Sequence, residues 1–303
     1  MMRVSMRGGM VRLLVLVGAA TSLLCRLCDA LTNVTLPPPD GSGGLYVIDV
    51  QDTYPANWSD VDRLYIPFGH YKYMRIGNLP DRCGDNQKPL VITNLGGQVR
   101  VGGLGHYYIM GISGGCNWVL TGKYDPTEET GDINYPGHAD GAYANSNGTY
   151  GILIDDAYSA CEDGQDGCPY NLTSCADTNC PNEVPGLAIG SNAPSSKPQP
   201  PTSDFEISYV EMRDTGFAGL SVKTDNKNLC GIGGDLCSSM TDYTMRNVKI
   251  HDLYIHDVLS EGLYLGSTQN SAAQHSFENL RVYNKYALCL LSILFLPLLR
   301  YTH

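Results

Sequence analysis

The stretch Asp204–Lys223, DFEISYVEMRDTGFAGLSVK, has a gapless copy in Asn247–Gly266, NVKIHDLYIHDVLSEGLYLG. Superposed, the two place Ile207 on Ile250, Val210 on Leu253, Met212 on Ile255, Asp214 on Asp257, Gly219 on Gly262, Leu220 on Leu263 and Val222 on Leu265. Apolar residues alternate with polar ones in runs too short for helices, and Gly, Asp or Asn closes each run, so the unit reads as short strands joined by tight turns. Such a unit cannot bury its apolar face alone. It must stack on its neighbours, and the expected architecture is a solenoid.

Working outward, further short strands are expected at Leu45–Asp49, Leu64–Pro67, Tyr71–Ile76, Pro89–Thr93, Gln98–Val101, His106–Ile112 and Trp118–Leu120. The repeat extends to Glu278-Asn-Leu-Arg-Val-Tyr-Asn284, which matches His251-Asp-Leu-Tyr-Ile-His-Asp257, and more loosely to Asn117-Trp-Val-Leu-Thr-Gly122; Gly151-Ile-Leu-Ile154 matches Gly219-Leu-Ser-Val222. With Leu90-Val-Ile-Thr-Asn-Leu-Gly-Gly-Gln-Val99, Asp204-Phe-Glu-Ile207, Thr215-Gly-Phe-Ala-Gly219 and Gly262-Leu-Tyr-Leu-Gly266, the chain resembles the right-handed parallel β-helix proteins of the pectate-lyase-like superfamily, and in particular secreted β-helix repeat proteins of poorly defined function. The resemblance covers roughly residues 45–286 and implies an all-β, right-handed parallel β-helix with disulfide-stapled loop insertions.

The composition agrees: 303 residues, 43% hydrophobic, with 34 glycines and only 5 phenylalanines, suit a turn-rich β protein. Residues 1–30 carry arginines, then an apolar run from Leu13 to Cys25, then Cys28-Asp29-Ala30, the pattern of a secretory signal cleaved after Ala30; an uncleaved N-terminal anchor is the alternative. Cleavage removes four arginines against one aspartate, which makes the mature chain more acidic than its formal −11 and disfavours nucleic acid as a partner. Of the 11 cysteines, the leader and the tail account for three. The remaining eight, Cys83, Cys116, Cys161, Cys168, Cys175, Cys180, Cys230 and Cys237, form an even set that fits disulfides in an oxidising compartment. The sequons at Asn33, Asn57, Asn147 and Asn171 point the same way, to a secreted or extracellular glycoprotein.

A Pro/Gly-rich lead-in spans 31–44, and two insertions, 123–149 and 155–201, interrupt the β-helix domain expected at 45–286. The first is acidic and reads as an exposed loop. The second holds four cysteines, read as disulfide staples with their pairing open, and acids Asp155, Asp156, Glu162, Asp163, Asp166 and Asp177 that suit calcium. Zinc is disfavoured there by the wide cysteine spacing. Residues 287–303 form a hydrophobic tail, read as a replaced or truncated coil, with membrane attachment through it as the alternative.

In a stacked coil, equivalent outward side chains form rows ~4.8 Å apart. The repeat gives rows Glu211–Tyr254–Arg281 and Arg213–His256–Tyr283, with Lys223 on the following strand and Tyr264 on Ser221. The resemblance implies proton abstraction beside a uronate carboxylate: Lys223 or His256 as base, Arg213 as the carboxylate's partner, Glu211 as a ligand for calcium, the candidate cofactor. Tyr254, Tyr264, Arg281 and Tyr283 are the candidate substrate-binding residues. The plainer reading of the same rows is a solvated face with ordinary cross-coil ion pairs. Asp214 and Asp257 share a repeat position, with Asn284 continuing the row; they read as a turn ladder before a hydrolase pair. The sequence-level expectation is therefore a protein that binds, and by β-elimination cleaves, extracellular polysaccharide, against a non-catalytic structural or carbohydrate-binding surface protein.

Overall fold

The computed structural model describes residues 32–39, 46–54, 57–84, 87–103, 108–137, 149–155, 184–190, 202–224, 243–266, 275–288 and 294–295. The expected leader, Cys161, Cys168, Cys175, Cys180, Cys230, Cys237 and the sequons at Asn147 and Asn171 lie outside them.

Almost every described residue belongs to the unit Asn33–His303, which is built from three parallel ladders that the chain visits in a fixed order. The first ladder stacks β1 (Thr32–Thr35), the N-terminal parts of β3 (Val61–Tyr71) and β5 (Leu90–Val101), β7 (Cys116–Thr121), β10 (Ser203–Ser208), and the N-terminal parts of β14 (Lys249–His256) and β17 (Arg281–Leu288). The second stacks the C-terminal parts of the same long strands with β8 (Ile152–Ile154) and β11 (Val210–Arg213), completing a nine-stranded sheet. The third is the seven-stranded sheet of β2 (Tyr46–Asp49), β4 (Met74–Gly77), β6 (Met110–Ile112), β9 (Leu187–Gly190), β12 (Leu220–Lys223), β15 (Leu263–Gly266) and β18 (Leu294–Phe295). A separate pair joins β13 (Tyr243–Arg246) to β16 (His275–Glu278), and one helical turn, α1 (Val50–Thr53), follows β2. The protein is thus predominantly β with long parallel ladders, compatible with a β-helix-like solenoid. Among the described residues no helix is long and apolar enough to cross a membrane.

Aliphatic rows hold successive circuits together. In the first ladder Leu64, Ile92, Leu120, Ile207 and Ile250 stand in register, all fully buried. In the third, Ile48, Ile76, Ile112, Ile189, Val222 and Leu265 also stand in register, all buried except the partly covered Leu265. Branched side chains suit this stacking because their single preferred rotamer repeats from strand to strand, and each buried Ile or Leu contributes about 1.5–3 kcal/mol. Trp118 stacks on Phe205 with ring centroids 4.6 Å apart inside the same core.

The corners are set by left-handed residues. Asn117, Asp204, Asn247 and Asn279 have φ between 50° and 59°, and Asn247 Nδ2 donates to Asp204 Oδ1 at 2.5 Å while Asn279 Nδ2 donates to Asn247 Oδ1 at 2.8 Å. Asn and Asp tolerate this conformation because their short polar side chains bond locally. A second such row is Tyr209, Asp252 and Asn284, and a third is Asp214 and Asp257. Asp214 and Asp257 do share a row at a corner, as the repeat requires; Asn284 belongs to the row of Asp252 instead.

Three further expectations are corrected. The 204–223 copy pairs with 247–266 in the expected register throughout. The last copy does not: Arg281 pairs with Lys249 and Tyr283 with His251, so Tyr286 and Leu288 occupy the register positions of Tyr254 and His256. The reason is that β14 and the residues flanking it hold two consecutive segments of one rhythm, Asn247-Val-Lys-Ile-His-Asp252 and Asp252-Leu-Tyr-Ile-His-Asp257, and Asn279–Asn284 fits both. Likewise Ile152–Ile154 pairs with Val210–Met212, and the true counterpart of Gly219-Leu-Ser-Val222 is Gly186-Leu-Ala-Ile189, which lies inside the stretch expected as the second insertion. A Cβ on Gly219 would lie 2.3 Å from Ile255 Cγ2, so any larger residue there must push that side chain aside. Finally, the ladders run past residue 286, since β17 reaches Leu288 and β18 pairs with β15.

Candidate functional site

The second ladder carries the densest polar grouping among the described residues. Asp155 follows β8 and is held by its N–H donating to Val101 O at 2.9 Å. Its carboxylate is only 2% exposed and accepts from Arg100 Nε at 2.9 Å and Arg213 Nη2 at 3.2 Å. Three consecutive circuits are thereby tied through one buried anion, whose desolvation is offset by two charge-assisted bonds. Arg213 lies 3.6 Å from Glu211 Oε1 through Nη1 and 3.8 Å from Asp214 Oδ2 through Nε.

Glu211 also meets His256, Oε1 to Nε2 at 3.3 Å, and the other ring nitrogen of His256 lies 2.7 Å from Asp257 Oδ2. Burial opposes the imidazolium, yet the hydrogen bonds and charges of Glu211 and Asp257 outweigh it, and the pKa of His256 lies above 6.5. Tyr254 stacks on the His256 ring at 4.1 Å and on Tyr150 at 6.1 Å.

The first ladder repeats the device. His251 lies between Asp252 Oδ2 at 2.6 Å and Glu206 Oε1 at 3.1 Å, and Lys249 reaches Glu206 Oε2 at 3.3 Å. Burial again opposes charge on His251 and the two carboxylates again prevail, so its pKa is raised; the bond from His251, with Lys249 adding to it, holds Glu206 below the usual carboxylate range. Tyr283 is flat on His251 at 4.6 Å and half open to solvent at 43%.

Of the expected site residues, the structure brings Arg213, Glu211, His256 and Tyr254 together. Tyr283 sits on the neighbouring row, beside His251, and exposed Arg281 bonds Asn279 Oδ1 at 3.2 Å. Lys223 is on the other sheet, its Nζ 3.9 Å above the Tyr264 ring, at the rim of a shallow depression formed by Tyr108, Gly111, Ser113, Ala188 and Gly190. Tyr264 does stand on Ser221, but both are buried, at 5% and 2%. Glu211 is not part of any group of three or more metal-ligating side chains among the described residues; the one such group is Asp81, Cys83 and Cys116. Cys83 and Cys116 are joined in a disulfide with Cα atoms 5.4 Å apart. Asn33 and Asn57 are both exposed, as sequon asparagines must be.

Sequence reasoning missed Arg100, Asp155, Glu206 and His251 as members of these groupings. Asp155 had a signal: setting Ile154 on Met212 places it on Arg213. Arg100 needed the register of β5 with β8, which no repeat in the sequence displays. Comparison with protein-family models, characterised proteins and solved structures finds no match to this chain.

Proposed function

We propose that the chain is a secreted, disulfide-stapled right-handed parallel β-helix that binds extracellular polysaccharide along the outer face of its nine-stranded sheet, without cleaving it. The right-handed sense is the one parallel crossovers adopt almost without exception. One observation carries the binding reading: the outward rows set Lys249, His251 and Tyr283 beside Arg213, Tyr254 and His256, a ribbon of aromatic faces and of cations that are each paired with a carboxylate, crossing several circuits. Guanidinium and ammonium groups suit uronate carboxylates, and tyrosine faces suit sugar rings.

β-Elimination is the weaker reading. His256 has both ring nitrogens on carboxylates, which favour its protonated form and remove it as a base, and Lys223 stands on a different sheet from Arg213. Calcium at Glu211 gains no support, since the nearest charges to its Oε1 are Arg213 and His256. A purely structural rod would bind no glycan. The test is a panel of uronate and neutral polysaccharides against the full chain from a eukaryotic secretory host, read by binding calorimetry and by the ultraviolet absorbance of unsaturated products, with and without calcium. Expected are binding that weakens with salt and with Tyr283→Ala, and no absorbance change. Unsaturated product would restore the lyase reading, and absence of binding to every polymer would leave the rod.

A further inference from the structure

The outer face of the seven-stranded sheet plays no part in the glycan reading. Strands alternate their side chains between two faces, so with Ile112 and Ile189 in the core, β6 turns Gly111 and Ser113 outward and β9 turns Ala188 and Gly190 outward. Four small residues leave a shallow depression over these two strands. A cation stands on the strand to either side: Arg75 on β4, level with Gly111, and Lys223 on β12, level with Gly190. The Tyr108 ring lies across Gly111, where a Cβ would come within 2.3 Å of it, and forms one wall.

Both cations lack a counter-ion. Arg75 is only 7% exposed, yet among the described residues it has neither an ion pair nor a hydrogen bond. Lys223 has no carboxylate partner there either; its Nζ rests 3.9 Å above the Tyr264 ring. The carboxylate of Asp49, on β2, is taken by Asn78 Nδ2 at 2.8 Å and by the Asp52 N–H at 3.0 Å. Elsewhere the chain does otherwise: Arg100, Arg213, Arg246 and Lys249 each meet a carboxylate. Taking a guanidinium out of water costs several kcal/mol unless an anion meets it, and a chain with 31 acids for 20 bases could have supplied one. The charge of Arg75 also reaches the depression. Burial raises the pKa of the Tyr108 hydroxyl, and Arg75, together with a hydrogen bond to Tyr73, acts against that rise.

We propose that this depression binds a doubly charged tetrahedral oxyanion, a sulfate or phosphate group, between Lys223 on one side and Tyr108, backed by Arg75, on the other. Two uncompensated cations call for two negative charges, which one carboxylate does not carry and a sulfate or phosphate group does. The small floor lets the oxygens approach the sheet. Lys223 is a point charge on a flexible stem, and turning it from the Tyr264 ring to the anion forfeits only about 0.5–1 kcal/mol of cation–π attraction. Arg75 stays in place and supplies a fixed field from a desolvated position, where charge acts most strongly. The group arrives as the free ion or as an ester on a larger molecule, and the same charges hold it in both cases. The site stands apart from the nine-stranded sheet and does not depend on glycan binding there.

The full chain, from a eukaryotic secretory host and in chloride buffer at constant ionic strength, is titrated by calorimetry with sodium sulfate, inorganic phosphate and dextran sulfate. A saturable site for sulfate or phosphate is expected. Lys223→Gln should weaken it by about 10-fold, as loss of one charge-assisted contact does. Arg75→Met should lose it, and Ala188→Leu, which fills the depression without touching a charge, should lose it too. Lys223 and Ala188 lie on the rim and floor, so these two variants keep the test open if Arg75→Met fails to fold. Dextran sulfate that displaces inorganic sulfate assigns the group to an ester on a polymer; sulfate binding that it leaves untouched assigns it to the free ion. No saturable binding of sulfate or phosphate over chloride, or equal binding in wild type, Lys223→Gln and Ala188→Leu, overturns the proposal.

Discussion

Raising the pH should loosen the circuits that β10, β11 and β14 build. His251 and His256 each bridge a carboxylate on the preceding circuit to one on their own strand, and each has its pKa raised above 6.5 once burial is set against those bonds. A group whose folded pKa exceeds its unfolded value contributes stability that is complete below the unfolded pKa and disappears as pH climbs through the folded one. The expected loss therefore begins near pH 6.5 and continues into the alkaline range. The facing groups set its size. Asp257 is 74% exposed, so its bond to His256 is screened to at most about 1 kcal/mol. Glu211, Glu206 and Asp252 are mostly covered, and bonds from an imidazolium to them contribute about 1.5–3 kcal/mol apiece before discount. Arg213 and Lys249 remain on Glu211 and Glu206 after the histidines deprotonate, which trims the loss to about 2 kcal/mol for the pair of clasps together. Glu206, held below its ordinary range, acts in the opposite sense: its contribution is present above its unfolded value and fades as pH falls through the folded one. Urea midpoints measured from pH 5 to pH 9 should peak on the acidic side of neutrality and fall above it. His251→Gln/His256→Gln should flatten the alkaline fall. A wild-type midpoint that is level or rising between pH 6.5 and pH 9, or a double variant that keeps the full decline, refutes the reasoning, because general repulsion in an acidic chain would then explain everything.

Other expectations follow from particular contacts. Asp155→Asn removes the buried anion that Arg100 and Arg213 share and should cost about 1–3 kcal/mol, seen as a lowered denaturation midpoint, because both guanidiniums are partly open to solvent and Arg213 keeps Glu211 and Asp214. Gly219→Ala should cost about 1–3 kcal/mol by forcing Ile255 aside, and Gly219→Ala/Ile255→Leu, which removes the Cγ2 methyl, should recover part of it. Asn57→Gln, expressed in a secretory host, should lower the mass by one endoglycosidase-sensitive glycan, since Asn57 is exposed and its Oδ1 already accepts from Ser59 Oγ at 2.9 Å.

How much of this was legible beforehand depended on whether a signal was periodic. Stacking on a neighbour makes like residues recur, so the pairing of Ile207 with Ile250 and of Leu220 with Leu263 could be read directly. The same recurrence misled where two adjacent segments share a rhythm. Nothing in Asn279–Asn284 alone says which half of β14 it covers, and its register is decided by Asn279 standing on Asn247 and sharing its left-handed corner. The site was less visible, because Arg100 and Arg213 reach Asp155 from circuits whose intervening chain differs in length. Burial was least visible of all. Ser221 and Tyr264 occupy outward positions and are nonetheless covered, which alternation cannot reveal.

The fourth circuit, β7 to β9, separates its strands by far more chain than the circuits on either side, yet Leu120 still meets Ile207, Ile154 meets Met212 and Ile189 meets Val222. Closing a longer connection costs only about 0.6 kcal/mol per doubling of its length, because the entropy grows logarithmically. The two long connections of this circuit are therefore places where foreign sequence can be carried at small thermodynamic expense. The penalty falls on time instead: β10 to β12 and β14 to β15 can pair from nearby segments, while β8 and β9 must find a template after long searches. Engineering that lengthens either connection should leave the equilibrium nearly unchanged and slow refolding.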